Sequence, residues 1–158
     1  MYSAAAQGHL EVVVLLLDTG ADMSRARTDM GATPLHLASQ SGHVEVVRLL
    51  IQNRVDINRA TTDLGVTPLL LAAAQGHAEV ARLLLDAQAE VDTCRRNTRT
   101  TPLLIAAQDG HSEVVSLLLD AGADTIRSRS IDGATLLAIA RRFGHTEVVR
   151  LLSEAPAP

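Results

Sequence analysis

Apolar residues in this chain come in short runs, and polar or glycine punctuation cuts each run off. The stretch from Val44 to Gln52 is representative. Val46, Val47, Leu49 and Leu50 fall on one stripe of a 3.6-residue period, so a helix over about Val44–Gln52 is predicted, with that stripe buried. Its Glu45 lies in the first turn, where the helix dipole favours an anion. A shorter helix is predicted just before it, over Pro34–Ser41. Thr33 supplies an N-cap oxygen, Pro34 is preset for the first turn, and Gly42 offers the left-handed residue that ends the helix. The second helix is expected to close at Gly20 and Gly122 in two places, and near Asn53 and Gln88 in two others. Asn suits the left-handed region better than Gln does. The polar stretches Asp29-Met30-Gly31 and Asp63-Leu64-Gly65 read as turns or short hairpins.

This pattern repeats every 34 residues. Thr33-Pro34-Leu35, Thr67-Pro68-Leu69, Thr101-Pro102-Leu103 and Thr135-Leu136-Leu137 form one series. Gly8-His9, Gly42-His43, Gly76-His77, Gly110-His111 and Gly144-His145 keep step with it. So do Glu11, Glu45, Glu79, Glu113 and Glu147, and Ala38, Ala72, Ala106 and Ala140. Several independent columns with one period define a repeat architecture.

The sequence resembles the ankyrin-repeat family. The resemblance rests on Thr-Pro-Leu-His (Thr33–His36), Leu-Ala followed by Gly-His, Val-Val-x-Leu-Leu, and Gly-Ala-Asp at Gly20–Asp22 and Gly122–Asp124, and it covers essentially the whole chain. It implies an all-α solenoid of stacked antiparallel helix pairs with short hairpin fingers. About five repeats are expected in one domain, 1–158, with approximate units 1–24, 25–58, 59–92, 93–126 and 127–158. The family's usual period is about 33 residues; the additional residue here is placed in the hairpin. His36 is the one His of its motif, because Leu70, Leu104 and Ala138 stand in its column; those helices are expected to lack its polar link.

The two ends differ. Arg141 occupies the column of Ala5, Ser39, Ala73 and Ala107, and Ser153 that of Leu17, Ile51, Leu85 and Leu119. A charge there reads as a polar capping repeat. At the start, Met1 falls in the column of Leu35, and Val14 replaces Arg48, Arg82, Ser116 and Arg150. The first repeat is therefore expected to be incomplete. Three readings are open: a truncated parent chain, a naturally frayed start, or an end-to-end dimer covering the face. A monomer is otherwise expected.

Composition narrows the chemistry. Cys94 is the single cysteine, so neither an internal disulfide nor a cysteine-based zinc site is available, and a reducing cytoplasmic or nuclear setting is expected. Val12–Leu17 is too short to span a bilayer. Of six histidines, five form the Gly-His column; side chains on helices about 8–10 Å apart converge poorly on a metal, so these rings are expected to bond within the inter-helix turn. The sequence has no phosphate-binding glycine loop, no Gly-x-Ser-x-Gly and no His-Glu-x-x-His. No catalytic residue, cofactor or metal is assigned, and the chain is not expected to be an enzyme. Arg95 and Arg96 beside Cys94 could lower its thiol pKa, but a bystander thiol is the favoured reading.

The net charge is −4, yet all fourteen basic residues are Arg. Eight lie in the inter-repeat fingers: Arg25, Arg27, Arg59, Arg95, Arg96, Arg99, Arg127 and Arg129. They either solvate the loops or form a stripe for an acidic protein segment. Nucleic acid is disfavoured, since stacking aromatics are not interleaved. In the family, partners usually occupy the groove between fingers and first helices. The pairs before each Gly-His are implied to face it, among them Gln40, Ser41, Gln75, Gln108, Asp109, Arg142 and Phe143. Phe143 is read either as an anchor or as packing under the C-terminal tail. Finger residues Met30, Leu64 and Ile131 are apolar where solvent is expected. The expected function is a protein–protein interaction module with a partner of unknown identity. The alternative is a non-catalytic targeting segment of a larger enzyme or scaffold.

Overall fold

The structure is a computed structural model that describes residues 1–23, 30–126, 128 and 133–155. Ten helices occur among them and no strand element. In order they are α1 (Tyr2–Gln7), α2 (Leu10–Asp18), α3 (Pro34–Ser41), α4 (Val44–Gln52), α5 (Pro68–Gln75), α6 (Ala78–Asp86), α7 (Pro102–Asp109), α8 (Ser112–Asp120), α9 (Leu136–Arg142) and α10 (Thr146–Glu154). α3 and α4 have the bounds that the sequence predicts.

Odd and even helices form two parallel layers. α1, α3, α5, α7 and α9 pack in succession, and α2, α4, α6, α8 and α10 do the same behind them. Each odd helix also packs on the even helix that follows it. The core runs the length of the stack without aromatic residues: Leu35, Leu50, Leu69, Leu84, Leu103 and Leu118 are fully buried, with Ala38, Ala72, Ala106 and Ala140 between them. Each buried Leu contributes roughly 1.5–3 kcal/mol of transfer free energy. The alanines let neighbouring helices approach.

The Thr-Pro starts behave as predicted. Thr67, Thr101 and Thr135 accept from the backbone N–H groups of Leu70, Leu104 and Ala138 at 3.3, 3.1 and 3.3 Å. In α3 the buried His36 does more. Its Nδ1 accepts from the Thr33 N–H at 3.1 Å, which leaves Nε2–H to donate to the Val66 carbonyl at 3.1 Å in the next repeat. Leu70, Leu104 and Ala138 cannot make that inter-repeat bond.

The expected helix ends need one correction. Asn53 is not the left-handed residue, having φ −86; Arg54 is, at φ 58. The Asn53 side chain donates to the Leu49 carbonyl at 2.9 Å, which also accepts the Asn53 backbone N–H at 3.1 Å. The left-handed column is therefore Gly20, Arg54, Gln88 and Gly122. A side chain in this conformation costs roughly 1–2 kcal/mol relative to glycine.

The histidine reading also changes. The rings do not bond within their own turns. His43, His77, His111 and His145 donate from Nε2 to the carbonyls of Ala6, Gln40, Ala74 and Gln108 at 2.9, 3.1, 3.3 and 2.9 Å, each in the preceding repeat. Those acceptors lie in the last turns of the odd helices, where carbonyls lack intrahelical partners. The ring thereby lies over the preceding glycine. A Cβ on Gly76 would sit 2.5 Å from His111 Nδ1, whereas one on Gly144 would meet nothing within 4 Å.

Candidate functional site

Finger two shows how the tips are built. The turn is closed by Thr61 N–H to the Val66 carbonyl (2.9 Å) and by Gly65 N–H to the Thr61 carbonyl (3.2 Å). Asp63 Oδ1 accepts from the Leu64 N–H at 2.6 Å, and hydrogen bonds to this carboxylate, first from Thr61, hold its pKa below the usual range. Finger three repeats the closure with Arg95 N–H to the Thr100 carbonyl (3.0 Å) and Arg99 N–H to the Arg95 carbonyl (2.9 Å). Successive tips are tied together: Thr62 N–H donates to the Met30 carbonyl and Arg96 N–H to the Leu64 carbonyl, both at 2.9 Å. At the finger bases, the side chains of Asn58 and Asp92 accept from the backbone N–H groups of Glu90 and Asp124, again crossing a repeat.

This ties Met30, Leu64 and Arg96 into one continuous row. Met30 and Leu64 are exposed, at 44% and 39% of their surface. The arginines of finger three are not equivalent. Arg96 donates from its guanidinium to the Thr62 carbonyl at 2.8 Å, and its stem lies against Gly65, so it braces the neighbouring tip. Arg95 is half-buried, and its Nε is covered without an acceptor. Arg99 is exposed, with its backbone left-handed at φ 53. The equivalent residues in the other turns are Gly31, Gly65 and Gly133, at φ 71, 67 and 81. Sequence reading missed that Arg99 stands in a glycine column; the 34-residue alignment of the turns contains the signal. Arg59 lies half-buried at the base of finger two. Arg25, Arg27, Arg127, Arg129 and Ile131 lie outside the described residues.

Gln40, Ser41, Gln75, Gln108, Asp109, Arg142 and Phe143 are exposed at the C-terminal ends of α3, α5, α7 and α9. An eight-residue helix is about 12 Å long, so this second row is separated from the fingers by that length. Phe143 is 53% exposed; its ring stacks on His145 with centroids 6.2 Å apart, and the Arg142 guanidinium lies 5.8 Å from its centre.

The back of the even helices has a different character. Arg48 bridges Glu45 (3.6 Å) and Glu79 (4.0 Å), and Arg82 bridges Glu79 and Glu113 (both 3.6 Å). Ser116 interrupts the series, and Arg150 then pairs with Glu147 and Glu154. A cleft of about 600 Å³ opens between the ends of α6 and α8, lined by Leu85, Asp86, Val91, Leu117 and Asp120 among others. None of the candidate partner-binding residues lines it.

Two layers of short helices joined by projecting turns, each unit bonded to the next, define a helical repeat solenoid. A family model described as ankyrin repeats matches the chain in three copies, over residues 1–97, 59–129 and 88–157. The chain belongs to the ankyrin-repeat family, whose domains are generally protein–protein interaction modules and typically non-catalytic. A comparison with curated proteins finds no match. No helix among the described residues is long and apolar enough to cross a membrane.

Proposed function

We propose that this chain is an interaction module that receives an acidic protein segment across its fingertips and the exposed ends of its odd helices. One observation carries the reading. Between Thr93 and Gln108 the sequence holds Arg95, Arg96 and Arg99 and no acid, while the even helices at the back alternate Glu and Arg. The third finger is thus cationic in a molecule whose net charge is −4. Arg anchors suit carboxylates because the guanidinium presents a planar fork of donors. The reading equally covers a targeting segment of a larger enzyme or scaffold, in which chemistry lies elsewhere. An intracellular setting fits the single exposed thiol of Cys94.

The test begins with affinity capture from a lysate, and continues with titration of the purified captured protein. Arg95→Glu with Arg99→Glu leaves the Arg96 brace in place, and circular dichroism checks the fold. The double variant is expected to weaken binding at least about tenfold, and the native affinity to fall with added salt. Equal affinity for both proteins, independent of salt, would remove the acidic segment from the finger surface.

A further inference from the structure

We propose that the fingertips hold one extended partner segment in a fixed register: an apolar side chain against Met30, a second against Leu64, and carboxylates against Arg99 and Arg95. The proposal rests on the acidic-partner reading and adds order and spacing to it. Met30, Leu64 and Thr98 are equivalent positions in three successive turns, and the backbone bonds from Thr62 to Met30 and from Arg96 to Leu64 fix those turns relative to one another. Repeats stack about 10 Å apart. An extended chain advances about 3.3 Å per residue, so roughly every third residue of a bound strand meets a new tip.

The chemistry of the row changes at finger three. Asp63-Leu64-Gly65 gives way to Asn97-Thr98-Arg99, which removes a carboxylate and an apolar group and adds a guanidinium. Arg96 is engaged by the Thr62 carbonyl, which leaves Arg95 and Arg99. Neither is in an ion pair among the described residues. Arg99 adopts a left-handed backbone where the other described turns use glycine. Nothing in the packing of the turn needs a side chain there, since Gly65 closes the same turn with the same bond to its Thr61 carbonyl. Arg54 and Gln88 adopt the same conformation away from the fingertips, so strain alone does not mark a site. Arg99 is singled out because its side chain is exposed at the third fingertip, where the turn itself does not need it.

This predicts opposite effects of one substitution. Arg99→Gly is expected to raise Tm by roughly 2–4 °C and to weaken peptide binding about tenfold. Gln88→Gly relieves the same conformation away from the fingers, and is expected to raise Tm similarly with binding unchanged. The probe comes from panning a random linear peptide library on the full chain. Recovered peptides are expected to carry two apolar residues about three positions apart and acids about three positions beyond the second. Leu64→Asp is expected to abolish their binding. The register is overturned if recovered peptides are acidic yet bind Arg99→Gly or Leu64→Asp as well as the native chain; the acidic-partner reading then survives. It is overturned together with that reading if recovered peptides carry no acids, if none is recovered, or if a single-stranded oligonucleotide displaces them.

Discussion

Each Gly-His pair serves two repeats at once. Glycine turns the chain out of the odd helix, and the histidine one repeat later lies over that glycine and bonds a carbonyl beside it. Gly76→Ala therefore meets both a disfavoured backbone and the His111 ring, while Gly144→Ala meets the backbone alone. Denaturant titration is expected to show about 1–2 kcal/mol lost for Gly144→Ala and a clearly larger loss for Gly76→Ala; equal losses would contradict the stacked ring. His36 supplies a second prediction. Burial lowers its pKa from the usual 6.5 by penalising the charged form. The unfolded chain thus binds this proton more readily, and the stability of the neutral, bonded ring is complete above about 6.5 and is lost as pH falls below it. Between pH 7.5 and pH 5 the native chain is expected to lose more Tm than His36→Leu, the residue type of Leu70 and Leu104; parallel curves would refute it. The turns were legible from local spacing, but the ring acceptors were not, since they lie 37 residues back along the chain.

Helix bounds were readable because caps are local: Thr33, Pro34 and Gly42 specify α3 without reference to anything distant. The left-handed position was misplaced by one residue because the residue type of Asn53 was weighed above the repeat register. Thr19, Ala87 and Ala121 share its place and its negative φ, and the left-handed residue follows each of them, as Arg54 follows Asn53. The even helices carry a further design that composition conceals. Arg48 and Arg82 each reach a Glu of the following helix, and Ser116 breaks this series before Glu147. Exposed pairs of this kind contribute little singly and more as networks. Ser116→Arg is expected to raise Tm by about 1–2 °C at low salt, and about 1 M salt should erase the gain; a gain that survives such salt would mean packing rather than charge.

Every substantial contact in the stack is within a repeat or between adjacent repeats. The ends of the stack show what that coupling is worth. Val12 is 46% exposed in the first even helix, whereas Val46, in the same column one repeat on, is 1% exposed. At the other end Arg141 is exposed where Ala73 and Ala107 are fully buried. Ala73→Arg is expected to abolish cooperative thermal unfolding or lower Tm by more than about 10 °C, because it buries an unpaired charge between middle repeats; an unaltered melt would refute the stacking order. The exposed position of Arg141 was legible from its column, as was the cationic third finger. Which arginines brace and which remain available was not, since Arg96 finds its acceptor in another finger. The nearest-neighbour contacts also set how the molecule answers to force. With no strut joining distant units among the described residues, a pull on its two ends is borne in series by every junction, like the links of a chain. The weakest link is expected to give way first while the others hold, so that the solenoid lengthens in increments of one repeat.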